Sequence, residues 1–287
     1  MEARSRGPHI SESMVPEPHI KSRSRSLLPR DPIGVFDSGV GGLSTLRQLR
    51  RLMPNERFVF LADQSHVPYG GKTGPQLCAL SERVARFLIR RRCKAIVVAC
   101  NTATCYAIGH LRRTFSVPFI GTVPAIKPAC ALSSAGVVGI LSTPATARSA
   151  ALRDLVRRFA GGTRVLRVGC PGLEEQVETG GIDDPRTMEL ISRYIRPLTA
   201  AGADLIVLGC THYPFLRTRI ERISGIRTID GNRAIARRAR DVLAGLDLMS
   251  PSGTGALACF TTGSVAAFDR VASRLLRVPI RSRAARI

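Results

Sequence analysis

Tryptophan is absent from this chain of 287 residues, aromatic residues make up 5% of it, and 21 acidic residues stand against 43 basic ones. Each shortage excludes something. No apolar run approaches the ~18 residues that a membrane-spanning helix needs, so no membrane partner is expected. The N-terminal stretch lacks the apolar core of a secretory signal. Cysteine pairs of the C-x-x-C type are missing among the eight cysteines at 78, 93, 100, 105, 130, 170, 210 and 259. Without an export signal these read as reduced thiols of a cytoplasmic protein. A zinc site from Cys100, Cys105 and His110 fits no common ligand spacing, so no metal is expected. Nucleotide motifs are lacking too. In "FDSGVGGLSTL" (36–46) Ser44 stands where the third glycine of G-x-G-x-x-G belongs, and "PYGGKT" (68–73) has His66 where a phosphate-binding loop needs its first glycine. No cofactor is expected.

Lysine is scarce as well, with 4 of the 43 basic residues, which leaves 39 arginines and a net charge of +22. That charge would ordinarily raise nucleic-acid binding. The arginines, however, are scattered through helical stretches such as "RQLRRL", "RFLIRRRC" and "RRARDVL", and no DNA- or RNA-binding motif accompanies them. They read as readily as the coding bias of a GC-rich genome. Nucleic acid is therefore not expected as the main ligand, although a basic field helps gather an anionic substrate.

What is present begins after a segment rich in Pro, Ser and Arg. Residues 1–31 show no period and read as a disordered extension. From there, short apolar runs alternate with helical patterns. Strands are expected at 33–36, 57–62, 95–99, 119–123, 137–141, 164–168, 205–209 and 226–229. Leu43, Leu46, Leu49 and Met53 recur at helical spacing until Pro54 stops them. Such alternation predicts an α/β protein with mainly parallel sheets flanked by helices, and in such sheets ligands sit beyond the carboxyl ends of strands. Those ends are polar here: Asp37-Ser38, Cys100-Asn101-Thr102, Ser142-Thr143 and Cys210-Thr211-His212.

Each motif has a plainer reading beside the functional one. The Gly-rich turn after Asp37 either seats a carboxylate on its N–H groups or is only a tight turn with Asp37 as a cap. "PYGGKT" is either an irregular loop or one that wraps a small ligand with Tyr69 as a hydroxyl donor. A buried Cys is usually a small hydrophobe, and Cys105 and Cys130 stay in that class. Cys100 leaves it, because a thiol at a helix N-terminus is expected to have a lowered pKa. "KAIVVACNTAT" and "DLIVLGCTHYP" also form a faint repeat, 110 residues apart, which predicts Cys100 and Cys210 facing each other across a cleft. His212 can serve as base or acid beside Cys210. A Cys–His hydrolase would leave Cys100 idle. Among Glu174, Glu175 and Glu178 the sequence singles out none.

Two thiols flanking a small cleft suit proton transfer at a carbon. One removes a proton from one face as thiolate while the other returns a proton to the opposite face, and the stereocentre inverts.

These residues and motifs make the chain resemble the glutamate racemases of the aspartate/glutamate racemase family. The resemblance runs from about residue 33 to about 275, through "FDSGVGGLSTL", "ADQSHVPYGGKT", "ACNTAT", "VPAIKPA", "STPAT", "GCTHYPFL" and "FTTG". It implies a cofactor-independent enzyme that makes D-glutamate for peptidoglycan, in the cytoplasm and commonly as a homodimer. Two pseudo-symmetric α/β domains are implied, residues 32–124 with 234–287 and residues 125–233, with the active site in the cleft between them. By the same resemblance Cys100 looks like the base for D-glutamate and Cys210 the base for L-glutamate, supported by Asp37, Glu178 and His212. Asp37, Ser38, Tyr69, Gly70, Asn101, Thr102, Thr143, Thr146, Thr211 and His212 match positions that hold substrate. A racemase of aspartate or a hydantoin would share both thiols. Some positions depart from the family's pattern: Ala151, Cys105, "IDGN" (229–232), and Glu174 and Gln176 in usually apolar places.

Overall fold

A computed structural model describes residues 26–287. The expected N-terminal extension lies outside the described residues up to position 25. Its last residues, from position 26, are described and carry hydrogen bonds. Asp31 N donates to Leu28 O at 2.9 Å, Asp31 Oδ2 accepts from Leu28 N at 3.2 Å, and Lys94 Nζ donates to Pro29 O. Backbone groups bound in this way fix a turn that composition alone does not announce.

Among the described residues ten strands form: β1 (Ile33–Asp37), β2 (Phe58–Ala62), β3 (Ala95–Val98), β4 (Phe119–Gly121), β5 (Val137–Ser142), β6 (Arg164–Gly169), β7 (Leu205–Leu208), β8 (Arg227–Asp230), β9 (Leu257–Thr261) and β10 (Ser282–Ala284). Each apolar run read as a strand is one, with ends shifted by a residue or two; β9 and β10 were not anticipated. The longer helices are α1 (Leu43–Leu52), α2 (Gly74–Arg90), α3 (Asn101–Thr114), α4 (Ile126–Leu132), α5 (Pro144–Arg148), α6 (Ala150–Phe159), α7 (Leu173–Thr179), α8 (Pro185–Ala200), α9 (Arg217–Ser224), α10 (Asn232–Ala244) and α11 (Val265–Leu276).

Local chemistry sets these elements. In α1 the leucines at spacing three bury Leu43, Leu46 and Leu49, while Arg47 and Arg50 face water. Thr73 and Gln76 close a capping box at the start of α2, and Thr143 accepts from Thr146 N at the start of α5.

Two parallel sheets result. One has six strands in the order β10-β9-β2-β1-β3-β4, the other four in the order β6-β5-β7-β8. Counted within each half, both contain the order second, first, third, fourth strand. β1 and β3 thus correspond to β5 and β7, and the faint sequence repeat marks equivalent third strands. In each half the chain leaves the first strand toward one side and returns on the other, so a crevice opens beyond the carboxyl ends at that reversal. The protein is made of two α/β domains with parallel sheets flanked by helices.

Candidate active site

A cavity of about 510 Å³ lies at the amino ends of β1, β2 and β9, lined by Arg30, Arg57, Arg90, Arg91 and Arg92 among others. The polar and titratable side chains gather at the opposite, carboxyl ends, where the two domains meet.

β1 delivers Asp37 there, fully buried. Its Oδ2 accepts from Gly39 N at 3.2 Å and from Gly42 N at 3.0 Å, and its Oδ1 accepts from Thr211 Oγ1 at 3.1 Å. Asp37 is therefore both the cap of its own Gly-rich turn and a tie to the second domain. Burial raises its pKa against the opposing pull of His212 and the two N–H groups. Ser44, the residue that spoils the nucleotide motif, donates to Thr211 O at 2.9 Å. Asn232 of "IDGN" donates to Ser44 Oγ at 3.3 Å and accepts from Thr45 Oγ1 at 2.7 Å.

β3 ends at Cys100, which caps α3: Ala103 N donates to its Sγ at 3.4 Å. The expected lowering of this thiol's pKa is reversed. Burial, then the Asp37 carboxylate, raise it well above the usual thiol value and outweigh the Ala103 N–H. Cys210 contributes to the same rise, so the two thiols lie within electrostatic range of each other. Thr102 of α3 reaches across the domain boundary to Thr143 Oγ1 at 2.9 Å and Thr146 Oγ1 at 3.1 Å. Asn101 and Ser38 are buried as well.

β7 ends at Cys210. His212 Nδ1 lies 3.5 Å from Cys210 Sγ, and His212 Nε2 lies 2.6 Å from Glu178 Oε1. Glu178 Oε1 also accepts from Val40 N at 2.6 Å, and its Oε2 accepts from Gln64 Nε2 at 2.7 Å. Burial pushes the pKa of Glu178 up, but His212, Gln64 and Val40 together hold it below the usual value. Burial opposes the charged form of His212 too; Cys210 and Glu178 overcome it and raise the imidazole well above its ordinary pKa. Cys210 is raised by burial and partly brought back by His212. Thiol, imidazole and carboxylate thus form one proton-holding chain.

Gln64, which no motif singles out, is fixed in turn by Thr261 Oγ1 donating to its Oε1 at 2.9 Å. Its only sequence signal was its place in "ADQSHVPYGG". Tyr69 departs from expectation, because its hydroxyl donates to Asp63 Oδ2 at 2.7 Å. His110 lies 2.7 Å from Glu82 through its Nε2, and among the described residues no cluster of His, Cys, Asp and Glu could hold a metal.

The glycines after Asp37 have a steric reason. A methyl on Gly41 would stand 2.5 Å from His212 Nδ1 and 2.6 Å from Thr211 Oγ1, and one on Gly39 would strike the Glu178 carboxyl. Gly41→Ala is accordingly expected to displace His212 and lower turnover by about 10²-fold, the cost of a misplacement near 1 Å. Steady-state kcat, with melting temperature as the folding control, checks this.

Two like-ordered α/β domains meet here, with thiols at the ends of equivalent strands and a chain of thiol, imidazole and carboxylate between them. The chain belongs to the Asp/Glu/hydantoin racemase family, whose model matches residues 55–239. It is 46% identical to a glutamate racemase of Herpetosiphon aurantiacus over 243 residues, covering 84% of this chain and 96% of that one. The solved glutamate racemase RacE1 of Bacillus anthracis superposes with a TM-score of 0.81 at 28% identity, over 90% of this chain and 98% of that one. The Francisella tularensis glutamate racemase, solved with D-glutamate, gives a TM-score of 0.80 at 25% identity, over 91% and 98%. Among the described residues no helix is long and apolar enough to cross a membrane.

Proposed function

We propose that the protein interconverts L- and D-glutamate by two-base proton transfer, without a cofactor. The observation that carries this reading is the equivalent placement of Cys100 and Cys210 at the ends of third strands in like-ordered sheets, both buried and within electrostatic range of each other. Cys100 takes the Cα proton of D-glutamate and Cys210 that of L-glutamate. The Cα–H bond breaks toward one sulfur, and its electron pair is left on Cα beside the α-carboxylate. The S–H bond of the other thiol then breaks to form the new Cα–H bond on the opposite face.

Both thiols are held protonated by burial, so each needs a neighbour to take its proton before it acts as base. Neutral His212 takes the Cys210 proton, giving a thiolate beside an imidazolium that Glu178 stabilises, and the Asp37 carboxylate, whose own pKa is raised, takes that of Cys100. Ser38, Gly70, Asn101, Thr102, Thr143, Thr146 and Thr211 supply donors to the substrate's carboxylates, with Asp37 and His212 beside its amino group. Tyr69 acts through its ring and backbone, since Asp63 holds its hydroxyl. The domains are taken as residues 32–124 with 234–287 and residues 125–233, a division supported by the return of β9 and β10 to the first sheet. The same reading makes the protein a cytoplasmic homodimer that supplies D-glutamate for peptidoglycan. Sedimentation of the purified protein tests the dimer.

The test of the activity is incubation of the purified protein with L-glutamate in D₂O without pyridoxal phosphate. D-Glutamate carrying deuterium at Cα is expected, with aspartate and hydantoins as comparison substrates. D-Glutamate that keeps its original hydrogen would exclude proton exchange and end the model.

A further inference from the structure

Glu174 is the acid that the scheme above leaves without a task. It stands in α7 one turn before Glu178, and that spacing turns both carboxyls to one face. Their surroundings then differ. Glu178 meets Val40, Gln64 and His212, whereas none of the side-chain hydrogen bonds among the described residues goes to Glu174, which is 7% exposed. The carboxyl lies close to Gly70 of the first domain. A methyl on Gly70 would stand 3.2 Å from Glu174 Oε1 and 2.9 Å from Thr143 Cβ. Glu174 therefore borders the seam of Gly70 and Thr143, two of the groups assigned to the substrate's carboxylates.

A buried carboxylate that lacks a donor is costly as an ion and far less so as a neutral acid. The groups around it favour the neutral form. Glu175 and Glu178 face it from its own helix, Asp37 from the end of β1, Cys100 from the end of β3, Cys170 from the turn before α7, and Cys210 and Tyr213 from the loop after β7. His212 opposes them. Burial first, then the neighbouring acids, push Glu174 up to about 7. A substrate with two carboxylates adds negative charge and pushes in the same direction.

We propose that Glu174 is a specificity-determining acid of this site: its protonated carboxyl donates a hydrogen bond to a carboxylate of the bound dicarboxylic amino acid, and its ionised form repels that substrate. This assignment rests on the glutamate reading above. The sign follows from the carboxyl's charge. Below neutrality the free enzyme carries Glu174 protonated and binds well; above it Glu174 ionises and binding weakens with each unit of pH.

The experiment is steady-state kinetics on L-glutamate from about pH 6 to 9, comparing the parent protein with Glu174→Gln and Glu174→Val. For the parent, KM should be level on the acid side and then climb toward about tenfold per pH unit above neutrality. Gln, a permanent neutral donor, should flatten that climb, and Val should raise KM at every pH. The effect belongs in KM rather than kcat, a split that a merely structural role would not produce. A level KM in the parent, or the same climb retained in Glu174→Gln, overturns the proposal while leaving racemization standing. Absence of glutamate turnover in the parent at every pH would instead overturn the glutamate reading. The parent's own profile tests the idea even if a variant fails to fold.

Discussion

Alanine at Cys100 or at Cys210 is expected to cut glutamate racemization by about 10²- to 10⁴-fold in both directions, the range for loss of a positioned acid or base. Racemization needs a proton removed on one face and another delivered on the opposite face, so either loss stops inversion. The two variants should nevertheless differ in what survives. With Cys100 gone, Cys210 still faces the proton of L-glutamate, and that enantiomer should exchange its Cα hydrogen with D₂O without inverting. With Cys210 gone, D-glutamate should exchange instead. Proton NMR of each enantiomer reads this pattern directly. Both side chains are buried, and Cys→Ala removes a single heavy atom from each site, so folding should hold. Unimpaired racemization in either variant would sink the two-base scheme. Exchange of the opposite enantiomer would swap the two assignments.

Glu56→Ala should cause the largest loss of stability. Lys94 is fully buried, and its Nζ donates to Glu56 Oε2 at 2.6 Å and to the Pro29 carbonyl. Burial lowers the lysine's pKa, while Glu56 sustains its charge. Glu56 also accepts from Ser250 N at 2.8 Å, so one carboxylate joins the loop before β2 to the chain that returns as β9. Removal of one member of a buried pair costs about 3–5 kcal/mol, because the other charge is stranded. For a chain of this size that corresponds to a fall of roughly 6–20 °C in melting temperature. Calorimetry on Glu56→Ala and on the double variant Glu56→Leu/Lys94→Met decides the matter. The double variant should recover most of the loss, since an apolar replacement of a buried pair is often neutral. An equal loss in both would mean that volume, rather than charge, is what the site requires.

Much of this protein was legible because its elements are locally determined. Leu43, Leu46 and Leu49 announce a helix whatever surrounds them, and the short Val- and Ile-rich runs between helical patterns read as buried strands of a parallel sheet. β9 and β10 escaped for the opposite reason. β9 gains its place by register with β2, Phe58 opposite Leu257, and β10 is three residues long. β9 lies in an apolar run, Ala256 to Phe260, poor in the β-branched residues that mark the other strands, and β10 takes its strand character from its pairing with β9.

The site divides along the same line. Sequence alone placed Asp37, Cys100, Cys210 and His212 at strand ends, because a parallel strand fixes where its carboxyl end points. It also supplied the repeat that marks the two thiols as following equivalent strands. It could not set their proton affinities. The helix start that should lower the pKa of Cys100 is real, but burial and Asp37 outweigh it, and both come from tertiary packing. Glu174 and Glu178 are chemically the same residue one turn apart on one helix face. Only the folded chain separates them: His212, Gln64 and Val40 converge on Glu178 from three distant segments and keep it ionised, while Glu174 meets no donor and is held nearer its neutral form. Residue type and spacing follow from bonds along the chain, whereas charge state depends on what the fold brings within a few ångströms.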